Sequence, residues 1–191
     1  FYCFCCIFIS NHNSAIGAEG GGRLAVMDCI FRNNTGKHSA GMYINAYQYV
    51  RVERAEFLNN GVHAALISGS GINMEDCYMV EIGFSVFAQN LGREYGASYI
   101  KDVQYLNIFN NRFVSNKAHR MGGALQIHTT TRTNITNCLF MRNTGLNGGA
   151  IHIERSGRIN ILKSVFIRNS GFLSGGAFYL DVYDIISYSH C

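Results

Sequence analysis

Six phenylalanines, each followed three residues later by asparagine and then by a small-residue pair and an alternating apolar strand, predict an all-β fold. The architecture expected is a right-handed parallel β-helix, a β-solenoid of about seven coils of 22–27 residues. The absence of proline from 191 residues agrees with it, because proline interrupts strand ladders. A leucine-rich repeat of similar period would need a Leu-x-x-Leu-x-Leu framework and a helical return, and no segment shows a 3.6-residue apolar period. In a parallel solenoid each coil lies in register on the next, about 4.8 Å along the axis, so equivalent positions stack into columns.

The phenylalanine column comes first. Its members Phe8, Phe31, Phe57, Phe113, Phe140 and Phe166 are expected to form an internal aromatic stack, each ring burying roughly 150–250 Å². Three residues on, Asn11, Asn34, Asn60, Asn116, Asn143 and Asn169 supply an amide at a turn, where asparagine satisfies backbone groups and can bond from coil to coil. A weaker seventh copy is read at Cys77-Tyr78-Met79, with Ile82 where asparagine belongs. That register leaves 34 residues between Met79 and Phe113 and implies an insertion near residues 89–99.

Small pairs follow, read as Gly20-Gly21, Ala40-Gly41, Ala64-Ala65, Gly122-Gly123, Gly148-Gly149 and Gly175-Gly176. They allow a sharp bend and a close backbone approach that a Cβ would block. The strand after the pair is clearest in Gly-Gly-Ala-Leu-Gln-Ile, Gly-Gly-Ala-Ile-His-Ile and Gly-Gly-Ala-Phe-Tyr-Leu, whose faces alternate. Its outward positions read Ala25, Tyr43, Ile67, Phe87, Gln126, His152 and Tyr179. Of these, Tyr43, Ile67, Phe87, His152 and Tyr179 make an apolar, aromatic stripe expected to meet a partner or to stack on sugars.

The Phe-x-x-Asn and Gly-Gly-Ala phrases resemble the repeats of chlamydial polymorphic outer-membrane proteins and, more broadly, pectin-lyase-like β-helices. The resemblance covers about 170 of the 191 residues. It implies an extracellular or surface-anchored, adhesin-like module. Residues 1–191 read as one β-helix segment of a longer protein, because neither end shows the polar cap that a solenoid needs.

Charge and composition narrow the function. The 16 Lys and Arg are scattered, without a run of three, so a nucleic-acid footprint is not indicated. No stretch of 18 apolar residues is present, and no membrane-spanning helix is expected. Cys6, Cys29, Cys77 and Cys138 each stand two residues before the Phe or Met marker and are expected to face inward as unbridged thiols. Cys3-x-Cys5-Cys6 alone is too cramped for a zinc site, and His12, His38, His63 and His119 fall on loops that cannot all converge, so no metal and no cofactor are expected.

Enzymes of this fold, by the same resemblance, carry clustered exterior carboxylates. Here Asp28 and Asp76 read as one column with Arg54 between them, roughly 10 Å apart over two coils, an exposed ion-pair ladder. No catalytic residue is assigned. Two sequons, at Asn33 and Asn134, are candidates for N-glycosylation. The function expected is a non-catalytic structural or adhesive module of a large extracellular surface or filament protein, joining protein partners or copies of itself end to end and through the stripe. The alternative is a module that binds or degrades extracellular polysaccharide, with glycans as ligands.

Overall fold

The computed structural model describes residues 1–61, 70–182, 184 and 186–189. It is all-β among those residues, and every strand pairs in parallel with its equivalent one coil away. The largest sheet runs through Tyr2–Phe4, Ile16–Met27, Met42–Glu53, Ile72–Glu75, Ser98–Phe109, Leu125–Thr136, Ile151–Ser156 and Phe178–Val182. A second sheet stacks seven three-residue strands, from Ile7–Ile9 through Ile30–Arg32, Glu56–Leu58, Val86–Ala88, Arg112–Val114 and Leu139–Met141 to Val165–Ile167. A third joins Leu91–Gly92, Lys117–Ala118, Thr144–Asn147 and Ser170–Ser174.

Single residues in the left-handed region turn the chain between faces. One corner is built by Asp28, Arg54, Phe84, Asn110, Asn137 and Lys163, all with φ between 49° and 57°. A second, just before the ladder asparagine, uses Asn33, Asn59, Gln89, Ser115, Arg142 and Arg168, with φ between 52° and 56°. The third bends the long strands in their middle, at Ala46, Asp76, Asp102, Thr129 and Arg155. Such φ values cost a non-glycine residue on the order of 1 kcal/mol, and the stacked pairing on either side holds them.

The interior is filled by aliphatic rows. Val26, Val52, Ile82, Ile108, Ile135 and Ile161 lie in one register, and Leu24, Val50, Val80, Leu106, Thr133 and Ile159 in another. Against them stands a stack of seven rings, Phe8, Phe31, Phe57, Phe87, Phe113, Phe140 and Phe166, with successive centroids 4.6–4.9 Å apart and planes within 9° of parallel. Beside it runs the asparagine ladder Asn11, Asn34, Asn60, Asn90, Asn116, Asn143 and Asn169. Each central amide does three things. Asn116 Nδ2 donates to Asn143 Oδ1 at 3.0 Å and to the Phe87 carbonyl at 2.9 Å, while its Oδ1 accepts from the backbone N–H and side chain of Asn90.

The fourth coil corrects the expected register. Its phenylalanine is Phe87, and Phe87-Ala88-Gln89-Asn90 is a full copy of the repeat, so Met79 is no marker. Phe87 is fully buried and cannot serve an outward stripe. Residues 89–99 hold no insertion: Leu91 and Gly92 pair with Lys117 and Ala118, and Ser98 and Tyr99 with Leu125 and Gln126. The longest spacing, 30 residues, falls instead between Phe57 and Phe87. Ala64-Ala65 lies outside the described residues, and Ser70-Gly71 holds the small-pair position there.

The glycines act as expected at that turn. A Cβ on Gly123 would run into the Gly149 carbonyl, and one on Gly149 into the Gly176 carbonyl, so adjacent turns nest without side chains. Gly20-Gly21 is different. It lies within Ile16–Met27, where the Tyr47 ring covers Gly21, and Ser14-Ala15 is that coil's small pair.

Candidate functional site

Register places the outward side chains of the strand after the small pair in one row: Gly17, Tyr43, Asn73, Tyr99, Gln126, His152 and Tyr179. Two residues on, a polar row follows: Glu19, Asn45, Glu75, Lys101, His128, Glu154 and Asp181. Of the seven outward positions expected from the sequence, Tyr43, Gln126, His152 and Tyr179 are here. Ala25 and Phe87 are not, and Ile67 lies outside the described residues. Ala25 belongs to the far half of its strand, in register with Arg51. Gly17 takes the place expected of Ala25, and Asn73 and Tyr99 take those expected of Ile67 and Phe87.

The row is less open than an outward stripe would be. The small-pair turn folds back over the strand, leaving His152 1% and Gln126 2% exposed. His152 is therefore not a lateral contact residue. Its Nε2 lies 2.8 Å from Glu154 Oε1 and its ring 4.5 Å from that of Tyr179, while Nδ1 is buried without a hydrogen-bond partner. Tyr43 and Tyr179 are half-buried and do reach the surface.

The centre of the face is aromatic and acidic. Tyr95, from the turn, stacks on Tyr99 with centroids 3.9 Å apart and planes within 2°. Glu75 Oε1 accepts from Asn73 Nδ2 at 3.1 Å, and Lys101 Nζ lies 3.5 Å from Asp102 Oδ2. Because Glu75 is in register with Lys101, the corner residues Asp76 and Asp102 are neighbours on adjacent coils. The Asp102 carboxylate, with Glu75 and Asp76, holds the Lys101 ammonium above its ordinary pKa. Burial, aided by Tyr95 and Glu75, pushes the Tyr99 phenol far up; burial, then Glu75 and Glu19, raises Tyr43. These phenols stay neutral and can stack or hydrogen-bond.

The expected Asp28–Asp76 column is not formed, because the corrected register puts them at different corners. Asp28 instead receives a bidentate pair from Arg54, Nε to Oδ1 at 2.7 Å and Nη2 to Oδ2 at 2.9 Å, which lowers its carboxyl pKa. The sequons also differ. Asn33 is an exposed corner residue with φ 54°. Asn134 lies in a second, exterior amide ladder: its Nδ2 donates to Asn107 Oδ1 and its Oδ1 accepts from Asn160 Nδ2, each at 2.9 Å.

Among the described residues the histidines do not gather. His12 Nδ1 meets Thr35 Oγ1 at 2.9 Å, His38 leans on Tyr43, His119 is exposed, and His63 lies outside the described residues. The cysteines do. Cys29 and Cys138 hold the column two before phenylalanine, as expected, and are buried; Cys6 holds it half-buried. Cys77 is buried at another corner, in register with Tyr47 and Val103. Cys29 also meets Cys3 and Cys6, a convergence that Cys3-x-Cys5-Cys6 does not reveal without the next coil.

Residues 14–184 match the family model for the right-handed β-helix region, and the chain belongs to that family. The handedness follows the general preference of parallel crossovers, in which right-twisted strands pack back onto the sheet in one hand only. Neither a curated protein nor a solved structure matches the chain at a significant level. No helix among the described residues is long and apolar enough to cross a membrane.

Proposed function

We propose that the chain is a non-catalytic structural or adhesive β-helix module of a large extracellular surface or filament protein. The observation that carries this reading is the unbroken run of the phenylalanine stack and asparagine ladder through all seven coils, which makes the chain a stiff support for its outer faces. Exposed Ile7 and Ile9, which flank Phe8 and point away from the stack, and exposed Phe172 and Leu173 add apolar area on the outer surface for contact with a partner. Tyr43, Tyr95 and Tyr179 offer lateral contact area at low side-chain entropy cost. The Gly-Gly-Ala and Phe-x-x-Asn phrases support kinship with polymorphic outer-membrane repeats, and the exposed sequon asparagine Asn33 supports an extracellular setting.

One observation favours a second reading, a module that binds or degrades polysaccharide. The Tyr95–Tyr99 stack adjoins Glu75 and Asp102, a combination of ring face and carboxylates suited to hydroxyl-rich ligands. The two readings separate in one experiment. The purified chain is incubated with neutral and acidic polysaccharides while new reducing ends and unsaturated products are followed, and its association state is read by light scattering. Self-association or adhesion without product supports the structural module; product formed in proportion to protein supports the enzyme.

A further inference from the structure

We propose that Cys3, Cys6 and Cys29 form a binding site for one thiophilic d10 cation, of the Zn²⁺ or Cu⁺ kind. The three Sγ atoms lie within 4.8 Å of one another, and Cys3 Sγ and Cys29 Sγ are 3.7 Å apart. A metal with bonds of about 2.3 Å to sulfur holds its thiolates about 3.8 Å apart when tetrahedral and about 4.0 Å when trigonal. Little movement closes this cluster on an ion. Soft thiolate donors select such cations over Mg²⁺ or Ca²⁺.

The fold explains why the sulfurs meet. Cys3 points inward from the strand Tyr2–Phe4, in the row where other coils place Val26, Val52, Ile82, Ile108, Ile135 and Ile161. Cys5 takes the left-handed corner, φ 52°, and the turn carries the Cys6 side chain back beside Cys3. Cys29 is the equivalent of Cys6 one coil on, where Ala55, Ser85, Asn111, Cys138 and Ser164 follow. Elsewhere in these two rows, among the described residues, Cys138 is the single cysteine, and its Sγ is directed at the Thr136 and Ile108 carbonyls. Three sulfurs converge at this corner alone among the described residues.

The surroundings suit ligation. The backbone N–H of Cys6 donates to Cys29 Sγ at 3.4 Å, the kind of contact that steadies a metal-bound thiolate. Cys6 is half-buried, which opens a route for the ion, while Cys3 and Cys29 are buried. The thiol protons now directed at Phe4 O from Cys6 and at Met27 O from Cys29 leave on binding. With Zn²⁺, three thiols release three protons and leave a site of net charge −1, with a fourth position for water or an outside ligand.

The test uses the whole 191-residue chain, reduced and kept anaerobic, titrated with Cd²⁺ and followed by the ultraviolet thiolate-to-metal charge-transfer band. One equivalent is expected to saturate the band, and chain preloaded with one equivalent of Zn²⁺ to release that zinc as the band grows, because thiolates hold the softer Cd²⁺ more tightly. Cys6→Ser, at the half-buried position, is expected to weaken binding at least tenfold with an unchanged β-sheet circular dichroism spectrum. Cys29→Ser is expected to abolish the band, and Cys77→Ser and Cys138→Ser to leave it intact. A missing band in the folded wild-type chain, a band indifferent to Cys6→Ser, or a Cys3–Cys29 disulfide found by peptide mapping of native material overturns the proposal.

Discussion

Asn90 Oδ1 accepts two hydrogen bonds from Asn60, one from its backbone N–H and one from its side-chain amide, each at 3.1 Å. Asn90 in turn donates to the Phe57 carbonyl at 2.9 Å and to Asn116 Oδ1 at 3.0 Å, all fully buried. Asn90→Ala therefore leaves the buried Asn60 backbone N–H and one N–H of its side-chain amide without an acceptor, and takes a donor from the Phe57 carbonyl. At about 1–3 kcal/mol for each unsatisfied group, a loss of about 3 kcal/mol or more is expected in urea unfolding. Asn90→Asp, which cannot donate to Phe57, is expected to be no better.

The two phenylalanines of the fourth coil should behave in opposite ways. Phe87 lies 4.8 Å from Phe57 and 4.7 Å from Phe113 in the core, whereas Phe84 is an exposed corner residue edge-on to Phe109. Phe87→Ala is expected to cost about 3–5 kcal/mol. Phe84→Asn, which suits a left-handed corner with φ 51°, is expected to leave stability unchanged or raise it. Thermal unfolding of the two variants checks both.

This coil also shows how far the sequence could be read. Phe8, Phe31, Phe57, Phe113, Phe140 and Phe166 announce their columns because a stack in register requires the same residue at the same place. Phe87-Ala88-Gln89-Asn90 carries the same signal, but Cys77, two residues before Met79, matches the cysteine column, and Met79 at 22 residues from Phe57 lies as close to the 26-residue norm as Phe87 does at 30. The displacement carried Phe87 into the expected stripe and paired Asp28 with Asp76. The Tyr95–Tyr99 stack was harder to see, since it joins a turn residue to a strand residue four positions on with no repeated phrase to mark it. Nor does alternation reveal that Gln126 and His152 point outward and are still covered, because the covering turn is a matter of tertiary structure.

Thiol chemistry should follow burial. Desolvation raises the Cys77 thiol and pushes Cys138 up to about 11, so neither forms much thiolate at neutral pH. Maleimide is expected to label exposed Cys5 within minutes and Cys77 and Cys138 only after denaturation, as read by peptide mass.

Asp28 gives a pH test with a definite sign. Its hydrogen-bonded pair with Arg54 lowers the folded carboxyl pKa below the unfolded value. The pair's contribution to stability is then present above the ordinary aspartate range and is lost as pH falls through the lowered value. Arg54→Ala is expected to move the Asp28 carboxyl titration upward in carbon-detected NMR and to remove that part of the acid dependence.

Glycan occupancy should distinguish the two sequons. Asn33 is exposed, whereas Asn134 Nδ2 is committed to Asn107 and its Oδ1 to Asn160. In chain secreted from eukaryotic cells, glycopeptide mass analysis is expected to find sugar at Asn33 and none at Asn134.

The proposed role as a scaffold without turnover is tested most directly by comparing wild type with a Tyr43→Ser, Tyr95→Ser, Tyr179→Ser variant, measuring polysaccharide cleavage and association together. The expected result is no new reducing end or unsaturated product with either chain, an unchanged β-sheet spectrum, and association or adhesion weakened in the variant. Cleavage of any polysaccharide at a rate proportional to wild-type chain, or association indifferent to the loss of all three tyrosines, would contradict it.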